Sequence, residues 1–150
     1  MIAVIQRVLE ASVKVDDVIK GQIGIGFMIL LGITHTDTDE DLEWLAKKII
    51  GLRVFSDEQG KMNLDIKTVE GEILLISQFT LHASTKKGNR PSFIEAARPE
   101  IAFLFYEQML SKLTLELAKP IEKGQFGADM KVSLINNGPV TIILDSKNRS

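Results

Sequence analysis

The chain has no cysteine among its 150 residues, which excludes disulfide scaffolds, thiolate metal sites and every thiol mechanism. It has two histidines, far apart at His35 and His82, and no cluster of His, Asp or Glu at metal-ligand spacing. No metal and no cofactor is therefore expected. No apolar run approaches the ~20 residues of a membrane span. The longest, Ile23 to Ile33, is broken by Gly24, Gly26 and Gly32. The opening Met1-Ile2-Ala3-Val4-Ile5-Gln6-Arg7 lacks the basic start, apolar block and cleavage site of a secretory signal. A cytoplasmic setting with no membrane partner is the expectation. The formal net charge of −2 excludes a polycation, so any nucleic acid would be held through a local patch with few phosphate contacts.

What is present fits one globular domain, residues 1–150. Charged residues make up 25% and apolar residues 45% of the chain, and its length suffices to bury roughly two-thirds of the unfolded surface. Repeats, low-complexity tracts and Pro/Ser-rich linkers are lacking. Ile2, Val4, Val13 and Val15 alternate with polar positions as strands do, and Asp16-Asp17 marks a turn before the run from Ile23 to Ile33. Thr36 to Glu40 supplies N-cap candidates and first-turn acids. Leu42, Leu45, Ala46, Ile49 and Ile50 then follow at helical spacing, and Gly51 ends the pattern. Leu52 to Phe55 reads as a short strand, Ser56 to Gly60 as a turn, and Glu72 to Leu81 as the best-defined strand. A polar loop, His82 to Arg90, precedes a second helix from near Pro99 to about Leu117, with Ala102, Phe105, Tyr106, Met109 and Leu113 as its buried stripe. Met130 to Leu134 and Val140 to Leu144 read as strands. Strands and helices do not alternate strictly, so the expected fold is α+β, a largely antiparallel, barrel-like sheet with two main helices.

Two short stretches stand out chemically. Ser77-Gln78-Phe79-Thr80-Leu81 sets two hydroxyls and an amide at the end of an apolar run. A Thr or Ser nucleophile needs an adjacent base. If the strand continues past Leu81, Thr80 and His82 share a face and form a conceivable dyad. In the alternative, His82 is a solvated loop residue, and the polar side chains of the stretch satisfy backbone groups at a sheet edge. Asn137-Gly138-Pro139-Val140-Thr141 is the second stretch. Its spacing favours an Asn-Gly hairpin turn with proline opening the next strand. Lys86-Lys87-Gly88-Asn89-Arg90 gathers three cations around a glycine, as a phosphate-contacting loop or as a solvated one. Gly21 to Gly26 looks superficially like a phosphate loop but precedes an apolar strand, where the dinucleotide motif requires a helix.

Further signatures run through the chain in order: Ile5-Gln6-Arg7-Val8, Phe55-Ser56-Asp57, Gly60-Lys61-Met62-Asn63-Leu64, Arg90-Pro91-Ser92-Phe93 and Gly124-Gln125-Phe126-Gly127-Ala128-Asp129-Met130. With the two stretches above, they resemble the D-aminoacyl-tRNA deacylases, also called D-tyrosyl-tRNA deacylases, over essentially the whole sequence. The resemblance implies a homodimer that hydrolyses the ester of D-aminoacyl-tRNA, and of glycine mischarged on tRNA, with tRNA and not DNA as nucleic-acid partner. It implies a cis Gly138-Pro139 bond whose motif enters the partner subunit's pocket and excludes L-amino acids by their side chain. It assigns Ser77, Gln78, Phe79 and Thr80 to the catalytic strand and Ala102, Phe126 and Met130 to the terminal adenosine. Lys86, Lys87 and Arg90 are weaker candidates for tRNA phosphates. Two mechanisms compete. Thr80 acts as a nucleophile in one. In the other, which we favour, main-chain N–H groups near Phe79 and Thr80 hold the ester oxyanion while the ribose hydroxyl assists water. Many relatives carry Asp where this chain has Asn137, and either residue tolerates the turn. Two other readings remain in view: a Thr-nucleophile esterase of small substrates, and a non-catalytic module that binds aminoacyl-tRNA or RNA ends.

Overall fold

A computed structural model describes residues 1–149. Its spine is β1 (Ile2–Val15), a 14-residue strand long enough to pair with three others. On one side it meets β2 (Val18–Ile23) and β3 (Gly26–Gly32), both antiparallel. On the other side lies β8 (Lys131–Asp145), also antiparallel. β3 continues in parallel to β6 (Glu72–Ser77), and β6 to the short β7 (Glu122–Lys123). The Gln22 amide donates to the Glu122 carboxylate at 3.2 Å, bringing β2 to β7 and nearly closing the sheet into a barrel. A separate two-stranded ribbon is formed by β4 (Phe55–Ser56) and β5 (Met62–Leu64). The sheet is thus mixed, with its antiparallel pairs built on β1.

Period-two alternation explains why the central strands look uniformly apolar. Phe27, Ile29 and Leu31 of β3 and Ile73 and Leu75 of β6 face the helices, whereas Met28, Leu74 and Ile76 face the barrel interior with Val8, Val13 and Ile23. A strand covered on both faces carries no polar side. The helices α1 (Asp39–Gly51) and α2 (Pro99–Leu117) pack over the larger core through Leu42, Leu45, Ala46, Ile49, Tyr106, Met109 and Leu113.

Thr38 caps α1. Its backbone N–H donates to the Asp41 carboxylate at 2.8 Å, the reciprocal half of a capping box. Burial alone would raise the Asp41 pKa. Hydrogen bonds from Lys147, Ser146 and Thr38 outweigh it and hold the carboxyl far below the ordinary range. The Met1 ammonium, also buried, donates to Asp37 at 2.6 Å and to Ser146 at 2.9 Å. These contacts tie both ends of the described chain to the start of α1.

Three expectations need correction. The run from Ile23 to Ile33 is split at Gly24-Ile25 between β2 and β3. The strand from Glu72 ends at Ser77, not Leu81, and gives way to a 3-10 turn over Phe79–His82. The Asn137-Gly138 hairpin turn is absent. Met130–Leu134 and Val140–Leu144 belong to a nearly continuous stretch in which β8 stays paired with β1, and residues 137–140 bulge out between the pairs Val8–Asn136 and Gln6–Thr141.

Candidate functional site

Ser77 ends β6, and the Gln78 amide donates to the Leu31 carbonyl at 2.8 Å, holding the next residue against β3. The chain then folds into the 3-10 turn across the end of that strand. Gly32 permits the crossing. A Cβ there would lie 2.9 Å from the Leu81 Cβ and 3.1 Å from the Gln78 carbonyl. The Phe79 and Thr80 amides open the turn, where an i→i+3 pattern offers no carbonyl partner, and neither donates to another group among the described residues. They are available to an outside acceptor.

The turn also decides the dyad. Residues 80 and 82 lie about a third of a turn apart in a helix of three residues per turn, so a shared strand face no longer exists. The Thr80 hydroxyl accepts from the Gln78 side-chain amide at 2.6 Å instead. The His82 Nε2 is buried with no hydrogen-bond partner. Among the described residues, Gln78 is the one side chain hydrogen-bonded to the Thr80 hydroxyl, and His82 is not bonded to it.

Beside this turn lies a cavity of about 630 Å³. Ser77, Gln78 and Phe79 form one wall, and Ala102, Phe126 and Met130 line it as well. Phe126 is fixed by edge and tilted contacts to Phe103 at 5.5 Å and Tyr106 at 5.8 Å between ring centroids. Tyr106 in turn donates its hydroxyl to the Leu75 carbonyl at 2.7 Å, linking α2 to the strand that delivers Ser77. Burial, reinforced by the Glu107 carboxylate, pushes the Tyr106 phenol well above its ordinary pKa, so it stays a donor.

Sequence reasoning gave no role to several other lining residues: Phe93, Arg98, Pro99 and the Gly127–Asp129 segment. Phe93 packs edge-on against Phe79 at 5.1 Å, and the Ala97 amide donates to the Ile33 carbonyl at 2.9 Å, which docks the approach to α2 beside β3. A cation immediately before a first-turn proline was the visible signal for Arg98.

Lys86, Lys87 and Arg90 project from an exposed loop closed by reciprocal 2.8 Å bonds between Ser84 and Ser92, and none of the three lines the cavity. Gly138 and Pro139 also lie outside it, exposed at the tip of the β8 bulge. Their peptide bond is cis, the geometry implied by the resemblance and not by hairpin spacing. Gly138 has φ of 143°, which L side chains rarely adopt. Asn136 braces the bulge, accepting from the Val140 amide at 2.7 Å and donating to the Val140 carbonyl at 3.2 Å. Arg7 holds it from β1, donating from Nε to the Asn137 carbonyl at 2.9 Å. Among the described residues no group of three His, Asp or Glu side chains is placed to hold a metal ion, and no helix is long and apolar enough to cross a membrane.

A family model described as D-Tyr-tRNA(Tyr) deacylase matches residues 4–145. A curated D-aminoacyl-tRNA deacylase of Cytophaga hutchinsonii is 60% identical over 149 residues, covering 99% of each chain. That of Parabacteroides distasonis is 54% identical over 149 residues with the same coverage. A solved structure called c-Myc DNA Unwinding Element Binding Protein is 45% identical with a TM-score of 0.90, over 97% of this chain and 98% of the other. Another, described as a probable eukaryotic D-amino acid tRNA deacylase, has a TM-score of 0.82 over 95% of this chain and 97% of its own. At 15% identity that likeness speaks for the fold alone.

Proposed function

The chain belongs to the D-Tyr-tRNA(Tyr) deacylase family, and from that membership we propose that it hydrolyses the ester joining a D-amino acid to the terminal ribose of tRNA. Glycine esters are a second substrate class. The whole chain, 1–150, acts as one deacylase domain in the cytoplasm, where aminoacyl-tRNA is made and used.

The observation that carries this reading is the cavity itself. One wall offers Phe79, whose amide and that of Thr80, the next residue of the turn and outside the cavity lining, bond to no other group among the described residues, and another wall offers the apolar Ala102, Phe126 and Met130. The first suits an ester oxygen, the second a purine face. Water attacks the ester carbon, the two amides take the developing negative charge, and the neighbouring ribose hydroxyl relays the proton, taking one from water as it gives its own to the departing ribose oxygen. The bond from carbonyl carbon to ribose oxygen breaks, that oxygen is protonated, and free amino acid and tRNA leave. Ser77 and Gln78 keep the turn in register, with the Gln78 amide occupying the Thr80 hydroxyl.

Chirality enters from a second copy of the chain. Gly138 and Pro139 protrude from β8 and reach the partner's cavity, their carbonyls filling the space where an L side chain would project. Leu9, Ile135 and Ile143, exposed apolar residues of β1 and β8, support a homodimer. Lys86, Lys87 and Arg90 steer the acceptor end of tRNA through phosphate contacts.

The test follows free amino acid released from D-aminoacyl-tRNA incubated with the protein. Catalytic release supports the deacylase. Retention of intact ester in a stable complex supports the binding-module reading instead. A DNA duplex added as competitor addresses the DNA-binding name of the 45% identical structure, and it should leave the release rate unchanged.

A further inference from the structure

Arg98 is a cation in the cavity wall without a carboxylate partner among the described residues. It is exposed and precedes Pro99, the first residue of α2. The nearby carboxylates are engaged or apart. Glu95 pairs with His35 at 3.1 Å, Asp129, in the same wall, pairs with Lys131 at 2.8 Å, and Glu100 in the first helical turn makes no ion pair with Arg98. A helix N-terminus carries partial positive charge and favours anions. A guanidinium placed there works against the helix, and an anionic ligand relieves both.

Position names the anion. The Ala102 amide donates to the Arg98 carbonyl at 2.9 Å, so the two residues are stacked one helical turn apart, about 5.4 Å along the axis. Ala102 and Phe126 form the apolar wall assigned to the terminal base, and the Phe79 and Thr80 amides receive the ester. In an aminoacyl-adenosine the ester sits on the 2′ or 3′ oxygen and the phosphate on the 5′ oxygen, so the phosphate leaves the ribose on the side away from the ester. Resting on the deacylase reading, we propose that Arg98 binds the phosphodiester on the 5′ side of the terminal adenosine. Arg98 thereby makes the site sensitive to a nucleotide end rather than to a bare nucleoside ester. Lys86, Lys87 and Arg90 lie outside the cavity lining and would meet phosphates further along the strand.

The test uses two small substrates, the D-aminoacyl esters of adenosine and of adenosine 5′-monophosphate, with the unaltered chain and with Arg98→Ala and Arg98→Lys. The unaltered chain should prefer the phosphate-bearing ester. Arg98→Ala should lower kcat/KM for that ester by roughly tenfold or more, as for a lost hydrogen bond to a charged group, and leave the adenosine ester within about twofold. Arg98→Lys should restore part of the loss. An equal loss on both esters overturns the proposal in favour of a structural role. No loss on either overturns it too. Inactivity of the unaltered chain on both esters and on D-aminoacyl-tRNA would instead remove the deacylase reading itself.

Discussion

Arg7 reaches across from β1 to donate from Nε to the Asn137 carbonyl at 2.9 Å and from Nη1 to the Val54 carbonyl at 2.6 Å. One guanidinium therefore holds the β8 bulge at a fixed distance from the body of the fold, one residue before Gly138. The hydrogen bonds come from a planar fork that lysine does not reproduce.

If that bulge excludes L-amino acids in a partner's cavity, loosening it damages function more than stability. Arg7→Ala should lower the melting temperature by only a few degrees. It should lower the ratio of D-ester to L-ester turnover by roughly 10- to 100-fold, because a misplaced motif no longer fills the space of an L side chain. Arg7→Lys should recover little. Thermal unfolding and steady-state deacylation of paired D- and L-esters measure the two effects separately, and an unchanged D/L ratio in Arg7→Ala would show that the bulge needs no anchor.

Thr80 gives a second prediction. Its hydroxyl accepts from Gln78, and no basic side chain is hydrogen-bonded to it among the described residues. Thr80→Ala should cost less than about tenfold in kcat, the worth of a hydrogen bond, whereas loss of a true nucleophile costs roughly a million-fold. Denaturing mass spectrometry after rapid quenching should find no acyl-enzyme in the unaltered chain. A trapped adduct on Thr80 would reverse the assignment.

Asp41 sets a pH dependence of stability. Its folded pKa lies below that of an unfolded aspartate, so its stabilising contribution is complete above about pH 4 and fades as pH falls through the folded value. Asp41→Asn, which breaks the 2.8 Å pair with Lys147 and alters the Thr38 cap, should cost about 1–3 kcal/mol at neutral pH. Denaturant titrations of both proteins should give a constant difference from pH 7 to about pH 5, narrowing in stronger acid. A difference that widens on acidification would contradict the pairing.

Much of the frame was legible in residue order. Asp39–Gly51 and Pro99–Leu117 follow from apolar spacing, acids at one start and proline at the other, because these signals act within a few residues. The end of β6 was not legible. Phe79, Thr80 and Leu81 have the composition of a strand, and only Gly32, 47 positions earlier in the chain, lets them turn across β3. The bulge was misread for a related reason. Asn137-Gly138 is a favourable hairpin pair locally, but β1 is long enough to keep Val132 and Ile142 paired on either side of it. Long pairing outweighed the local turn preference. The cavity wall at Phe93, Arg98 and Asp129 comes from segments that meet only through the fold.

The central claim is that this site removes D-amino acids from tRNA and spares L-amino acids. Its most direct test is the ratio of kcat/KM for a single tRNA charged with the D and the L form of one amino acid. The account predicts a preference for the D form of at least about a hundredfold, which corresponds to roughly 2.7 kcal/mol of exclusion. Equal hydrolysis of the two forms would contradict it.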